Sequence, residues 1–165
     1  MESVKKNDYV IIQFGHNDGS VNKPERYAAP NDYKENLRGF VNDVRAKGAT
    51  PILATPIAMI RFLENGKFKD GHGQYPEKVK ELAEEEDVLL IDIHQKSMDL
   101  IIEMGEEESK KLFMNVEPGE TDEYPEGRVD NTHTREAGAR AVVKLAVEEL
   151  RNRPKEFKRL SNALL

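Results

Sequence analysis

Apolar residues along the chain follow two rhythms. Short unbroken runs alternate with longer stretches in which they recur every three or four positions. In "YVIIQFGHND" the run Val10–Phe14 is short, β-branched and bounded by Asp8 and Gly15, so it reads as a buried strand. "TPILATPI" contains a second such strand, Pro51–Thr55, and "VLLIDI" a third, Val88–Ile93. Between the first two, "NDYKENLRGFVNDVRAKG" puts Tyr33, Leu37, Phe40, Val41 and Val44 on one helical face. Asn31 or Asp32 is predicted to cap that helix, and Gly48 to end it in a left-handed conformation. Pro76 suits the first turn of a helix reaching Glu86, with Val79, Leu82 and Ala83 facing inward. Gln95–Met104 reads as a helix stopped by Gly105, and Thr134 as the cap of a last helix carrying Ala137, Ala141, Val142, Leu145 and Leu150.

The remaining segments are connections. Gly19–Pro30 is a polar, proline-containing loop, and "AMIRFLENGKFKDGHG" is an excursion with an Asn-Gly turn. Glu106–Arg128 is acidic and turn-rich, and its charge run "GEEESKK" reads as a solvated helix start or loop. Strand and helix alternate, and the strands are apolar throughout. That combination predicts an α/β fold, a three-layer α/β/α sandwich with right-handed parallel crossovers. The predicted domain spans residues 1–153, followed by a helical tail, residues 154–165, with Phe157, Leu160 and Leu164 at helical spacing.

Composition narrows the function classes. The chain has 165 residues, 38 % hydrophobic and 34 % charged, the size of one ordinary domain. Its formal charge of −6 argues against nucleic acid as a partner, because phosphate binding needs clustered Lys and Arg. With no cysteine, disulfides and thiolate metal sites are excluded. No run approaches membrane-spanning length, and "MESVKKNDYV" has no apolar signal core. As written the sequence reads as cytoplasmic, unless an upstream segment is missing. No Gly-rich or Ser/Thr-rich phosphate loop follows a strand, so no cofactor is expected.

Two polar clusters carry candidate chemistry. "GHND" stands at the carboxyl end of the first strand, where open parallel sheets bind ligands. Gly15 permits a tight turn, and Asn17 offers an amide donor that does not change charge. The plainer reading is that Asn17 and Asp18 close a turn. "VDNTHT" precedes the last helix, and Asp130 lies three residues before His133. In a tight turn that spacing can set the carboxylate against one imidazole nitrogen, leaving the other as a general base. A capped helix start with a surface histidine is the alternative.

"FGHND" and "DNTHT…AGA", with "RAKGATPILATPI", "GHGQYPEKVKELAEEEDVLLIDI" and "ESKKLFM" between them, resemble the SGNH (GDSL-type) hydrolases. The two clusters are similar to that family's third and fifth sequence blocks, and the likeness is greatest to its rhamnogalacturonan acetylesterase group. The resemblance implies a flavodoxin-like sandwich of five parallel strands. It implies hydrolysis of an acetylated oligosaccharide or another small ester, with His133 as base, Asp130 orienting it and Asn17 donating to the oxyanion. Gly15 would allow the close approach, and His16 would line the substrate pocket. His72 would reach substrate from its loop, although it reads more simply as a surface turn residue.

The chain departs from that pattern in one respect. It contains no Gly-Asp-Ser block, and none of its five serines (Ser3, Ser20, Ser97, Ser109 and Ser161) follows a strand in that context. Base, orienting acid and oxyanion donor are thus expected without the nucleophile. The first two strands of the family's sheet are expected to be missing too, which would leave Val10–Phe14 at an exposed edge prone to self-association. Two other readings stand beside an esterase. One is a non-catalytic sugar-binding or assembly domain. The other is a metal-dependent hydrolase using His16, Asp18, Asp130 and His133, residue types that suit zinc or manganese but lack close ligand spacing.

Overall fold

The structure is a computed structural model that describes residues 3–153 and Phe157. The elements, in order, are β1 (Tyr9–Ile12), α1 (Pro30–Ala46), β2 (Thr50–Ala54), α2 (Tyr75–Glu85), β3 (Leu89–Ile91), α3 (His94–Lys110) and α4 (Glu136–Asn152). The strands form one parallel sheet in the order β1-β2-β3, with Ile11 opposite Ile52 and Leu53 opposite Leu90. This is the expected α/β fold. No described helix is long and apolar enough to cross a membrane. The expected tail, residues 154–165, lies outside the described residues apart from Phe157, which is buried.

The chain forms two compact units. Of the described residues, the first comprises 3–56, 72–93 and 149–153 with Phe157, and the second Ile57–Gly71 and His94–Glu148. The first holds the sheet, and its core gathers Ile12, Tyr33, Leu37, Val41, Leu53, Val79 and Leu82. Burying a side chain of this size stabilises by roughly 1.5–3 kcal/mol, which makes the apolar spacing of α1 and α2 the main determinant of where those helices pack. Lys34 and Arg38 on α1 pair with Glu81, Glu85 and Glu86 at the end of α2. The core of the second unit is Ala58, Ile60, Ile101 and Phe113.

Several local expectations are corrected. Phe40 is largely exposed rather than inward. α1 has no side-chain cap: it starts at Pro30 after Ala29, and Asp32 lies in its first turn. There the carboxylate favours the positive end of the helix dipole instead. Thr134 does not cap α4 but pairs with Phe113 in an antiparallel bridge, and the Arg135 carbonyl accepts the Ala139 N–H. Ala137 is exposed. Gly105 does stop a helix, with φ +76°, and a further helical stretch continues to Lys110, where the charge run was read as a helix start or loop.

β1 is shorter than the run Val10–Phe14 and is not covered on both faces. Ile11 is 59 % exposed and Phe14, just beyond the strand, 50 %. The reason is position: among the described residues β1 pairs only with β2, at the edge of the sheet where the family resemblance put it. β2, between two neighbours, is buried from Pro51 to Ala54.

Candidate active site

The first cluster lies just past β1, in the first unit. Gly15 is buried with φ +125°, a conformation that side chains rarely adopt, and a Cβ there would sit 3.3 Å from Pro56. The chain can therefore reverse at this point only with glycine. Residues 16–19 form a turn in which the Asn17 carbonyl accepts the Ser20 N–H at 3.0 Å. Two tyrosines fasten this turn. The Tyr33 hydroxyl donates to the Phe14 carbonyl at 3.1 Å, and the Tyr75 hydroxyl reaches the carbonyls of Ala28 at 2.7 Å and Asp18 at 2.9 Å. Their rings meet edge to face, 5.1 Å apart. Burial, helped by the Asp18 carboxylate, pushes the Tyr33 phenol far above its ordinary range, so it stays a neutral donor.

On this anchored turn the Asn17 side chain is exposed, and its amide has no hydrogen-bond partner among the described residues. The His16 ring packs edge to face on His72 at 4.7 Å. His72 is 3 % exposed, which corrects its reading as a surface turn residue. It stands directly before the turn into α2, and the Tyr75 N–H bonds to its carbonyl.

The second cluster belongs to the second unit, in the segment before α4. His133 Nδ1 lies 2.7 Å from Asp130 Oδ2, and the ring is 73 % exposed whereas the carboxylate is only 10 % exposed. A carboxylate can only accept, so Nδ1 carries the proton, and in the neutral ring Nε2 is the nitrogen that holds the lone pair. The turn is closed by Asp130 itself: Oδ1 accepts the N–H groups of Thr132 at 3.0 Å and His133 at 2.9 Å. Burial acts to raise the carboxyl. The amides of His133 and Thr132, the His133 ring and the Arg128 guanidinium together outweigh it and hold Asp130 well below the usual carboxylate range.

Sequence reasoning anticipated the Asp130–His133 contact but not its supports. Asn115 clamps Asp130 through both of its amide groups, accepting the Asp130 N–H at 3.1 Å and donating to the Asp130 carbonyl at 3.3 Å. Arg128 also donates to Asp130 Oδ2, and to the Tyr124 hydroxyl at 2.7 Å. Arg135 donates to the Asn115 carbonyl and to Glu120. A cation two residues before an acid in an extended segment was the one signal available for Arg128. Asn115 had none, because its distance of 15 residues is closed only by the bridges Phe113–Thr134 and Val116–Arg128.

Asp130 is poorly suited to a metal, because its two oxygens already accept four N–H donors. Two serines are also unsuited to attack. Ser97 Oγ is buried, donating to the His94 carbonyl and accepting the Ala58 N–H, and Ser109 Oγ is tied to the Glu106 carbonyl.

Residues 2–141 match the GDSL-like lipase/acylhydrolase family. The rhamnogalacturonan acetylesterase RhgT of Bacillus subtilis (strain 168) is 42 % identical over 147 residues, covering 89 % of this chain and 62 % of the relative. The probable rhamnogalacturonan acetylesterase YesY of the same organism is 37 % identical over 92 % of this chain and 65 % of its own length. The chain thus spans less than two thirds of the length of these relatives. The crystal structure of protein YxiM from Bacillus subtilis superposes with a TM-score of 0.71 at 31 % identity, over 92 % of this chain and 39 % of that one. Axe2, an acetylxylan esterase from Geobacillus stearothermophilus, shares the fold, with a TM-score of 0.61 at 21 % identity, over 88 % of this chain and 60 % of that one.

Proposed function

This chain belongs to the GDSL-like lipase/acylhydrolase family, and we propose that it carries the acid–base half of a carbohydrate acetylesterase. The observation that carries the reading is the 2.7 Å Asp130–His133 pair, with Nδ1 protonated and an exposed ring. His133 Nε2 takes a proton from the attacking group and returns it to the leaving alcohol. Asp130 stabilises the imidazolium that forms between those steps. Asn17, on its anchored turn, donates to the oxyanion, and Gly15 makes that turn possible. His16, braced by His72, contacts the sugar. The acetylated substrate is drawn from the similarity to RhgT and YesY, and rhamnogalacturonan oligosaccharides are the class to try first.

The nucleophilic serine is, in this reading, not in this chain. The test is intact-mass analysis after exposure to a fluorophosphonate, with hydrolysis of 4-nitrophenyl acetate measured in parallel and His133→Ala as control. The expected result is no serine adduct and a slow hydrolysis that depends on His133. A His133-dependent adduct would place a working serine in this chain. Hydrolysis indifferent to His133 would remove the esterase reading.

We further infer that β1 recruits another strand, with a second copy of this chain as the available partner. β1 is the edge strand of the described sheet, and the exposed side chains of Ile11 and Phe14 put apolar area there. Light scattering at about tens of micromolar is expected to show association that Ile11→Lys abolishes. A monomer under those conditions would refute it.

A further inference from the structure

Arg128 has no place in the proposed chemistry, yet it shares an oxygen with it. Asp130 Oδ2 accepts from both His133 Nδ1 and Arg128 Nη2. Arg128 is itself fixed from the far side. Its Nη1 donates to the Tyr124 hydroxyl at 2.7 Å, and its guanidinium carbon lies 4.9 Å from the centre of the Tyr124 ring. Backbone bonds in both directions to Val116 hold the residue's main chain. The guanidinium is therefore a rigid fork with one prong on a phenol and the other on the carboxylate, a geometry Arg supplies and Lys does not.

We propose that Arg128 is a positioning residue: by fixing Asp130 Oδ2 it keeps that oxygen on His133 Nδ1 and so selects the imidazole tautomer with Nε2 unprotonated. The physical need is clear from the exposures. The His133 ring is 73 % exposed and so gets little steric guidance from the protein. Its orientation depends on one hydrogen bond to one carboxylate oxygen. Oδ1 is held by the Thr132 and His133 amides, but those two bonds leave the carboxylate free to tilt about Oδ1. Arg128 removes that freedom. The groups facing the guanidinium are Asp130 and Tyr124, with the Arg135–Glu120 pair beyond Asn115.

The consequence for turnover rests on the reading of His133 as base, but the tautomer can be read without any activity. The chain has only four histidines, so long-range nitrogen–proton NMR of labelled protein resolves each imidazole, and His133→Gln assigns the one of interest. Wild type is expected to show His133 protonated at Nδ1. Arg128→Gln is expected to bring in the Nε2–H form that a free imidazole prefers, and Arg128→Lys to bring it in to a lesser extent, because Lys keeps the charge without the fork. The side chain of Arg128 is one-third exposed and its backbone pairing does not use it, so both variants should fold, as circular dichroism will verify. In the hydrolysis assay Arg128→Gln should lower kcat by about tenfold or more with KM little changed, the signature of lost orientation rather than lost binding. Exclusive Nδ1–H in Arg128→Gln would overturn the proposal. A shifted tautomer in a protein with no esterase activity, wild type included, would leave it standing and overturn the functional reading instead.

Discussion

Asp130→Asn is expected to lower the slow, His133-dependent ester hydrolysis to the level of His133→Ala while leaving the fold in place, because it holds the base in the wrong tautomer. The structure shows why an isosteric change should act so strongly. Oδ1 of Asp130 accepts two backbone N–H groups, so the oxygen of an asparagine must occupy that position. Its amino group then faces His133 Nδ1 and Arg128, where an acceptor is required. Nδ1 becomes the acceptor, Nε2 takes the proton, and its lone pair is gone. Hydrolysis of 4-nitrophenyl acetate reads the loss, and activity equal to wild type would mean His133 does not work as the base.

The same substitution has a pH signature. The folded-state pKa of Asp130 is depressed, so its carboxylate contributes stability that is present above the unfolded-state value and lost as pH falls through the folded one. Urea unfolding should therefore show wild type well ahead of Asp130→Asn at neutral pH. The gap should narrow only below about pH 4, where an unfolded carboxyl begins to bind protons. A gap independent of pH would show that the charge of Asp130 is not what stabilises its turn.

Asn17→Ala is the second large effect expected, a loss of about 10²- to 10³-fold in kcat with KM little changed, as for removal of one oxyanion donor. The turn should survive, because Gly15, Tyr33 and Tyr75 hold it through backbone groups and Asn17 contributes only its own carbonyl. Asn17→Asp should be at least as damaging, since a carboxylate repels the charge that develops. Steady-state kinetics on the acetyl ester decide the matter. A change in KM alone would make Asn17 a substrate contact and not an oxyanion donor.

What the chain determines by itself is what depends on neighbours in sequence. The apolar periods of α1 and α2 are local, and Leu37, Val41, Val44, Val79 and Leu82 are buried as their spacing requires. So are the Asn-Gly turn, closed by the Gly66 N–H on the Leu63 carbonyl, and the stop at Gly105. The Asp130–His133 pair was legible for the same reason, since three residues in a tight turn are enough to bring Oδ2 to Nδ1. Tertiary structure decided what depends on the neighbours a segment acquires by folding. An apolar run by itself does not reveal whether it is central or at an edge: composition read Val10–Phe14 as buried, the family resemblance put it at an exposed edge, and Ile11 is half open while β2 is covered. His72, in a run of glycine and polar residues, looked like surface and is enclosed. The supports of the site, Asn115 and Arg128 around Asp130, and Tyr33 and Tyr75 around the Gly15 turn, come from distant positions or serve two roles. Their hydrogen bonds carry no periodicity, and only a folded backbone brings such donors and acceptors within hydrogen-bonding distance of one another.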